Sequence, residues 1–151
     1  MGTGWALLES LRAAPAVLDS GVIETSADLP LETRVHAIYD GVLSLLDTHA
    51  PGLLVLEDLY AEYRFPRTAL LMAHARGVVC LAARQRGVEL LALAPALVKR
   101  VVAGHGAASK EQVQQSVRRL LGLAEVPRPS HVADALALAF TALSRRGAPL
   151  P

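Results

Sequence analysis

A single cysteine, Cys80, sits in the apolar run from Gly77 to Ala83. One thiol excludes a disulfide framework and fits a reducing cytosol, where a lone cysteine behaves as a small hydrophobe. No basic segment precedes an apolar one at the N-terminus, and the longest apolar stretch, Val132 to Leu143, is short and broken by Asp134. Targeting and membrane insertion are therefore not expected, and the reading is a soluble, cytoplasmic protein. No Gly-rich phosphate loop follows any candidate strand, which argues against a nucleotide-binding α/β domain. Internal repeats and low-complexity linkers are missing as well. With 52% hydrophobic residues in 151, the chain reads as one globular domain with enough length for a real core.

Acids are scarce in one half and bases in the other. Residues 1–63 hold ten acids against Arg12 and Arg34, a balance of −8, whereas residues 64–151 hold thirteen Lys or Arg against four acids, a balance of +9. The overall charge of +1 conceals this polarity. A cationic half in a small domain suggests a face turned toward a polyanion, although charged helix faces are also commonly just solvated.

The elements alternate. Strand character runs from Gly4 to Leu8 and from Ala16 to Thr25, with Leu11 to Pro15 as the turn of an antiparallel hairpin. Pro30 opens an amphipathic helix to about His49, carrying Leu31, Val35, Ile38, Val42 and Leu45 at spacings of three and four. Leu53 to Leu56, four apolar residues between Pro51-Gly52 and two acids, form a short strand expected to be buried on both faces and ending at Glu57. A basic and aromatic loop, Tyr60 to Arg67, leads into a long apolar helix from about Thr68 to Arg86, stopped by Gly87. Val88 to Leu93 is the next strand. Pro95 starts a helix that Gly104-His105-Gly106 ends, Ser109 and Gln112 form a capping box for a helix to about Leu121, and Ser130 is expected to cap the last helix. The hairpin demands antiparallel pairing and the later strand-helix-strand unit a parallel crossover, so the fold class is α/β with a mixed central sheet flanked by helices.

Three residues invite chemistry. Glu57 ends a strand at the edge where α/β sheets bind ligands. Asp134 interrupts a helix apolar almost all round, where a carboxylate must pair, coordinate a metal or shift its pKa. Alternatively it offsets the positive end of the helix dipole. His131, three residues earlier, lies on the same side and can converge with Asp134 on one ion or phosphate, unless it is simply structural. A strand-end glutamate with a His-x-x-Asp on a late helix suits two-metal phosphodiester chemistry, in which hard oxygen ligands hold Mg²⁺ or Mn²⁺.

Nearly the whole chain resembles RuvC, a family of bacterial Holliday junction resolvases with the ribonuclease H fold. The resemblance is carried by Val55-Leu56-Glu57-Asp58-Leu59-Tyr60, Ala75-Arg76-Gly77-Val78, the run from Val98 through Gly106 followed by Lys110-Glu111-Gln112-Val113, and His131-Val132-Ala133-Asp134-Ala135-Leu136-Ala137. It implies a homodimer that nicks symmetry-related strands of four-way junction DNA in recombination and repair. Two Mg²⁺ or Mn²⁺ ions would serve each site, and RuvA and RuvB would be the branch-migration partners. By position it implies Glu57 and Asp134 as catalytic metal ligands and His131 as ligand or proton handler. Tyr60 matches an aromatic that stacks at the junction centre, or else anchors its loop. Lys99 and Lys110 match basic residues near the scissile phosphate, and Arg76 meets DNA backbone or the partner subunit.

One segment of that family is missing from the sequence. An apolar strand carrying an Asp followed by Pro-Gly, the central ligand, has no counterpart, because Thr3-Gly4-Trp5-Ala6-Leu7 matches the family's second strand and Asp19 belongs to the third. The missing strand would lie between the hairpin and the strand ending at Glu57. Opening that slot strands backbone groups, each costing about 1–3 kcal/mol if buried unsatisfied. The expectation is an N-terminally incomplete nuclease domain whose native chain begins upstream. The alternative function is a catalytically impaired junction-binding protein.

Overall fold

The computed structural model describes residues 2–10, 14–58 and 66–146. Their elements run β1 (Gly2–Ser10), β2 (Pro15–Glu24), α1 (Leu31–His49), β3 (Leu53–Glu57), α2 (Pro66–Gln85), β4 (Glu89–Leu93), α3 (Pro95–Ala103), α4 (Lys110–Leu120) and α5 (Ser130–Arg145). The expected order holds throughout, with α2 starting two residues earlier than its apolar periodicity suggests. The strands pair as two ladders, β1 with β2 and β3 with β4. Only four residues connect β1 to β2, a link long enough for a hairpin and too short for a parallel crossover, whereas α2 supplies the crossover between β3 and β4.

The chain divides into two compact units. The first, Ile23–Ala92, contains α1, β3, α2 and most of β4. Its core is Ile38, Val42 and Leu46 of α1 with Val79 and Ala82 of α2, and Leu54 and Leu56 of β3 pack against it. Strand alternation puts Leu53, Val55 and Glu57 on the opposite face of β3. Full burial of the Leu53–Leu56 run is not observed. All four residues are half-buried, since among the described residues β3 pairs with β4 alone and only alternate side chains reach the helices. At the far end of the helix pair, Arg86 Nε donates to Asp47 Oδ1 at 2.6 Å, and the Tyr39 hydroxyl donates to Gln85 Oε1. The hydrogen bond from Arg86 holds the Asp47 carboxyl below its ordinary range. Cys80 is half-buried in α2, reduced and unpaired.

The second unit, Gly2–Val22 with residues 93–146, joins the hairpin to α3, α4 and α5. Val98, Val102, Val113, Val117, Leu136 and Phe140 are buried there, and α5 packs along β1. Thr141, fully buried, satisfies its hydroxyl by donating to the Ala137 carbonyl at 2.8 Å. Gly104 ends α3 at φ 90°, a left-handed conformation that a side chain would strain.

The capping box forms as the sequence predicts. The Ser109 hydroxyl accepts from Gln112 N at 3.1 Å, and Gln112 Oε1 accepts from Ser109 N at 2.8 Å. Ser109→Ala is expected to cost about 1 kcal/mol, read as a lower urea midpoint at unchanged slope; an unchanged midpoint would mean that tertiary packing alone holds α4. The other expected cap fails. Ser130 is the first helical residue of α5, Pro129 occupies the cap position, and no side chain caps the helix.

Candidate active site

Each candidate side chain owes its position to its element. Glu57, last in β3, is exposed. The neighbouring Asp58 is engaged by Arg76 of α2, whose Nη2 lies 3.6 Å from Asp58 Oδ1. This pair belongs to the first unit and ties α2 to the segment that follows the strand. Arg76 is thus partly committed within its own chain. Tyr60 lies outside the described residues.

In the second unit, Pro129 and the turn bond from Val132 N to the Pro129 carbonyl, 2.9 Å, start α5. Val132, Ala133, Leu136, Ala137 and Phe140 then bury one broad face, which turns His131 and Asp134 outward one helical turn apart. Both are exposed. Asp134 is therefore no buried acid: the all-round apolar character came from Ala135, Leu138 and Ala139, which are only half-buried. Among the described residues neither His131 nor Asp134 has a hydrogen-bond or ion-pair partner, so their lone pairs are available to a ligand. Lys99 is half-buried on α3, and Lys110 is exposed as the first residue of α4. Asp19, exposed on β2, accepts from Ser20 N at 2.8 Å.

Within the second unit, His131 and Asp134 put an imidazole and a carboxylate on one open helix face, donor types that suit a divalent cation. Among the described residues no group of three His, Cys, Asp or Glu side chains gathers where an ion could be held.

The family model for crossover junction endodeoxyribonuclease RuvC matches residues 1–142. The chain belongs to the RuvC family. A RuvC from Rhodopirellula baltica is 40% identical over 138 residues, covering 91% of this chain and 78% of that relative. The solved structure of Thermus thermophilus RuvC superposes with a TM-score of 0.85 at 37% identity over 98% of this chain and 92% of the other. The same protein in complex with a Holliday junction substrate gives 0.83 at 35% identity. The fold is accordingly the ribonuclease H-like α/β fold of RuvC, and RuvC nucleases are metal-dependent. No helix among the described residues is long and apolar enough to cross a membrane.

Sequence reasoning missed two contacts made beside the candidate residues. Asp58 reads as a strand-ending acid but holds Arg76. Gly4 reads as an ordinary strand residue, yet glycine inside a strand often marks a close approach of another backbone, and here that backbone is His131.

Proposed function

We propose that this chain is a structure-selective endonuclease that resolves four-way junction DNA by metal-dependent phosphodiester hydrolysis in recombination and repair. The observation that carries it is the outward His131 and Asp134 pair, without other partners among the described residues, on a chain alike over 98% of its length to a RuvC solved with a Holliday junction. Glu57, His131 and Asp134 would hold Mg²⁺ or Mn²⁺, two ions per site. Such ions, when bound, polarise the phosphate and lower the pKa of an attacking water. Lys110 offsets negative charge on the phosphate, helped by the positive end of α4, where a lysine gains nothing for helix stability. Lys99 and Arg76 contact the DNA backbone, and Tyr60 stacks on bases at the junction centre. The two units are read together as one nuclease domain spanning residues 1–151.

A homodimer follows from the two equivalent cuts that a junction offers. The exposed face of α2 supports it. Leu70 and Leu81 are 64% and 49% exposed, and between them a side chain at Gly77 would meet nothing within 4 Å, so a second helix can approach closely there. RuvA and RuvB are proposed as branch-migration partners, and the cytoplasm as the compartment.

The second reading, a junction-binding protein impaired in cutting, is favoured by the lack of a three-ligand group among the described residues. Incubating the chain with a labelled immobile four-way junction in Mn²⁺ separates the two. Paired symmetric nicks support the resolvase, bound but intact junction supports the second reading, and neither binding nor nicking sinks both. In the same assay Lys110→Ala is expected to weaken binding uniformly across junction sequences and to lower the salt slope by about 1; an unchanged slope would remove Lys110 from the DNA interface.

A further inference from the structure

Gly4, in β1, touches the first turn of α5. A Cβ at position 4 would lie 2.2 Å from the His131 carbonyl oxygen, 2.4 Å from its carbonyl carbon and 2.7 Å from its Cβ. Two of those three atoms are backbone, so no rotamer change relieves the contact. The rest of α5 has little freedom to follow, because Ala133, Leu136 and Ala137 are 0%, 2% and 1% exposed. Any side chain at position 4 must therefore lift the start of the helix while the turn beyond stays packed.

We infer that Gly4 is a positioning residue for the proposed metal site: by having no side chain, it lets the α5 start sit close on β1 and sets His131 at a fixed offset from Asp134. This rests on the reading of His131 and Asp134 as ligands. It goes beyond that reading by naming what sets their spacing, since two donors one turn apart share an ion only while the first turn keeps its helical register. Gly21, on the other strand of the hairpin, supplies the comparison. The three atoms nearest a Cβ there all belong to the Trp5 ring of β1, at 3.0–3.1 Å, so Gly21→Ala presses first on the hairpin itself.

The test is paramagnetic broadening by Mn²⁺ in the NMR spectrum of the full chain. In the wild type, Mn²⁺ is expected to broaden the His131 ring, the Asp134 amide and the Gly4 amide together. Gly4→Ala is expected to lose the His131 broadening and to bind Mn²⁺ about tenfold or more weakly, the range typical of residues that orient a ligand from behind. Gly21→Ala is expected to retain both. Broadening retained at His131 in folded Gly4→Ala overturns the role of Gly4 while leaving the site intact. Equal loss in Gly21→Ala overturns it too, because general loosening of the hairpin then suffices. A wild-type His131 ring indifferent to Mn²⁺ overturns the ligand reading itself. Should Gly4→Ala not fold, the wild-type spectrum still decides, since broadening at His131 without broadening at Gly4 contradicts their contact.

Discussion

Asp134→Asn is expected to lower junction cleavage by at least about a hundredfold with binding retained, because the substitution keeps size and shape while removing the charge that draws a cation to the helix. Fold stability should stay within about 0.5 kcal/mol, as for an exposed residue without partners among the described residues. The alternative role for Asp134, offsetting the helix dipole, predicts the reverse pattern of lost stability and retained cutting. Its position in α5 speaks against that role. With Pro129 at the cap, Asp134 is the fifth helical residue, beyond the turn in which the dipole acts strongly. Cleavage rates and urea midpoints on one preparation decide, and wild-type cutting by Asp134→Asn would remove this residue from the site.

Phe140→Ala should cost about 3–5 kcal/mol, a large share of the roughly 5–15 kcal/mol that holds a domain together. Phe140 is 3% exposed on the face of α5 that packs inward, and its removal leaves a cavity that the packed core refills only in part. Activity would disappear with the fold, so circular dichroism separates this variant from Asp134→Asn, which stays folded. A cost under about 1 kcal/mol would mean that the surrounding helices collapse into the space.

Local physics made much of this molecule legible before any coordinates. Proline at helix starts, glycine at Gly87 and Gly104, and the Ser109–Gln112 box are contained within a few residues, and each fell where expected. Ser130 failed because two neighbours competed for one role: Pro129, which lacks an N–H to lose, took the cap position and pushed the serine into the first turn. The face of α5 was misread for a different reason. Alanine counts as apolar yet gains little from burial, so Ala135 and Ala139 do not mark an inward face as Leu136 and Phe140 do. The half-burial of β3 depends on strand pairing, which no local pattern encodes. Glu57 and the His131–Asp134 pair were recognisable by residue type and resemblance. The closeness of Gly4 to His131, 127 residues apart in sequence, is a long-range contact that only the fold reveals.

The packing of β1 on α5 also bears on how the protein emerges from the ribosome. The unit formed by Ile23–Ala92 is one unbroken stretch of chain and can condense while synthesis continues, as contiguous modules do. The other unit joins strands made before that stretch to helices made after it. Its hairpin must wait, unclosed, until α5 has been released, and this long-range closure should be the slow step of folding. A stalled or shortened chain lacking α5 would lose His131 and Asp134 together with the surface that covers β1, and would expose that strand to aggregation.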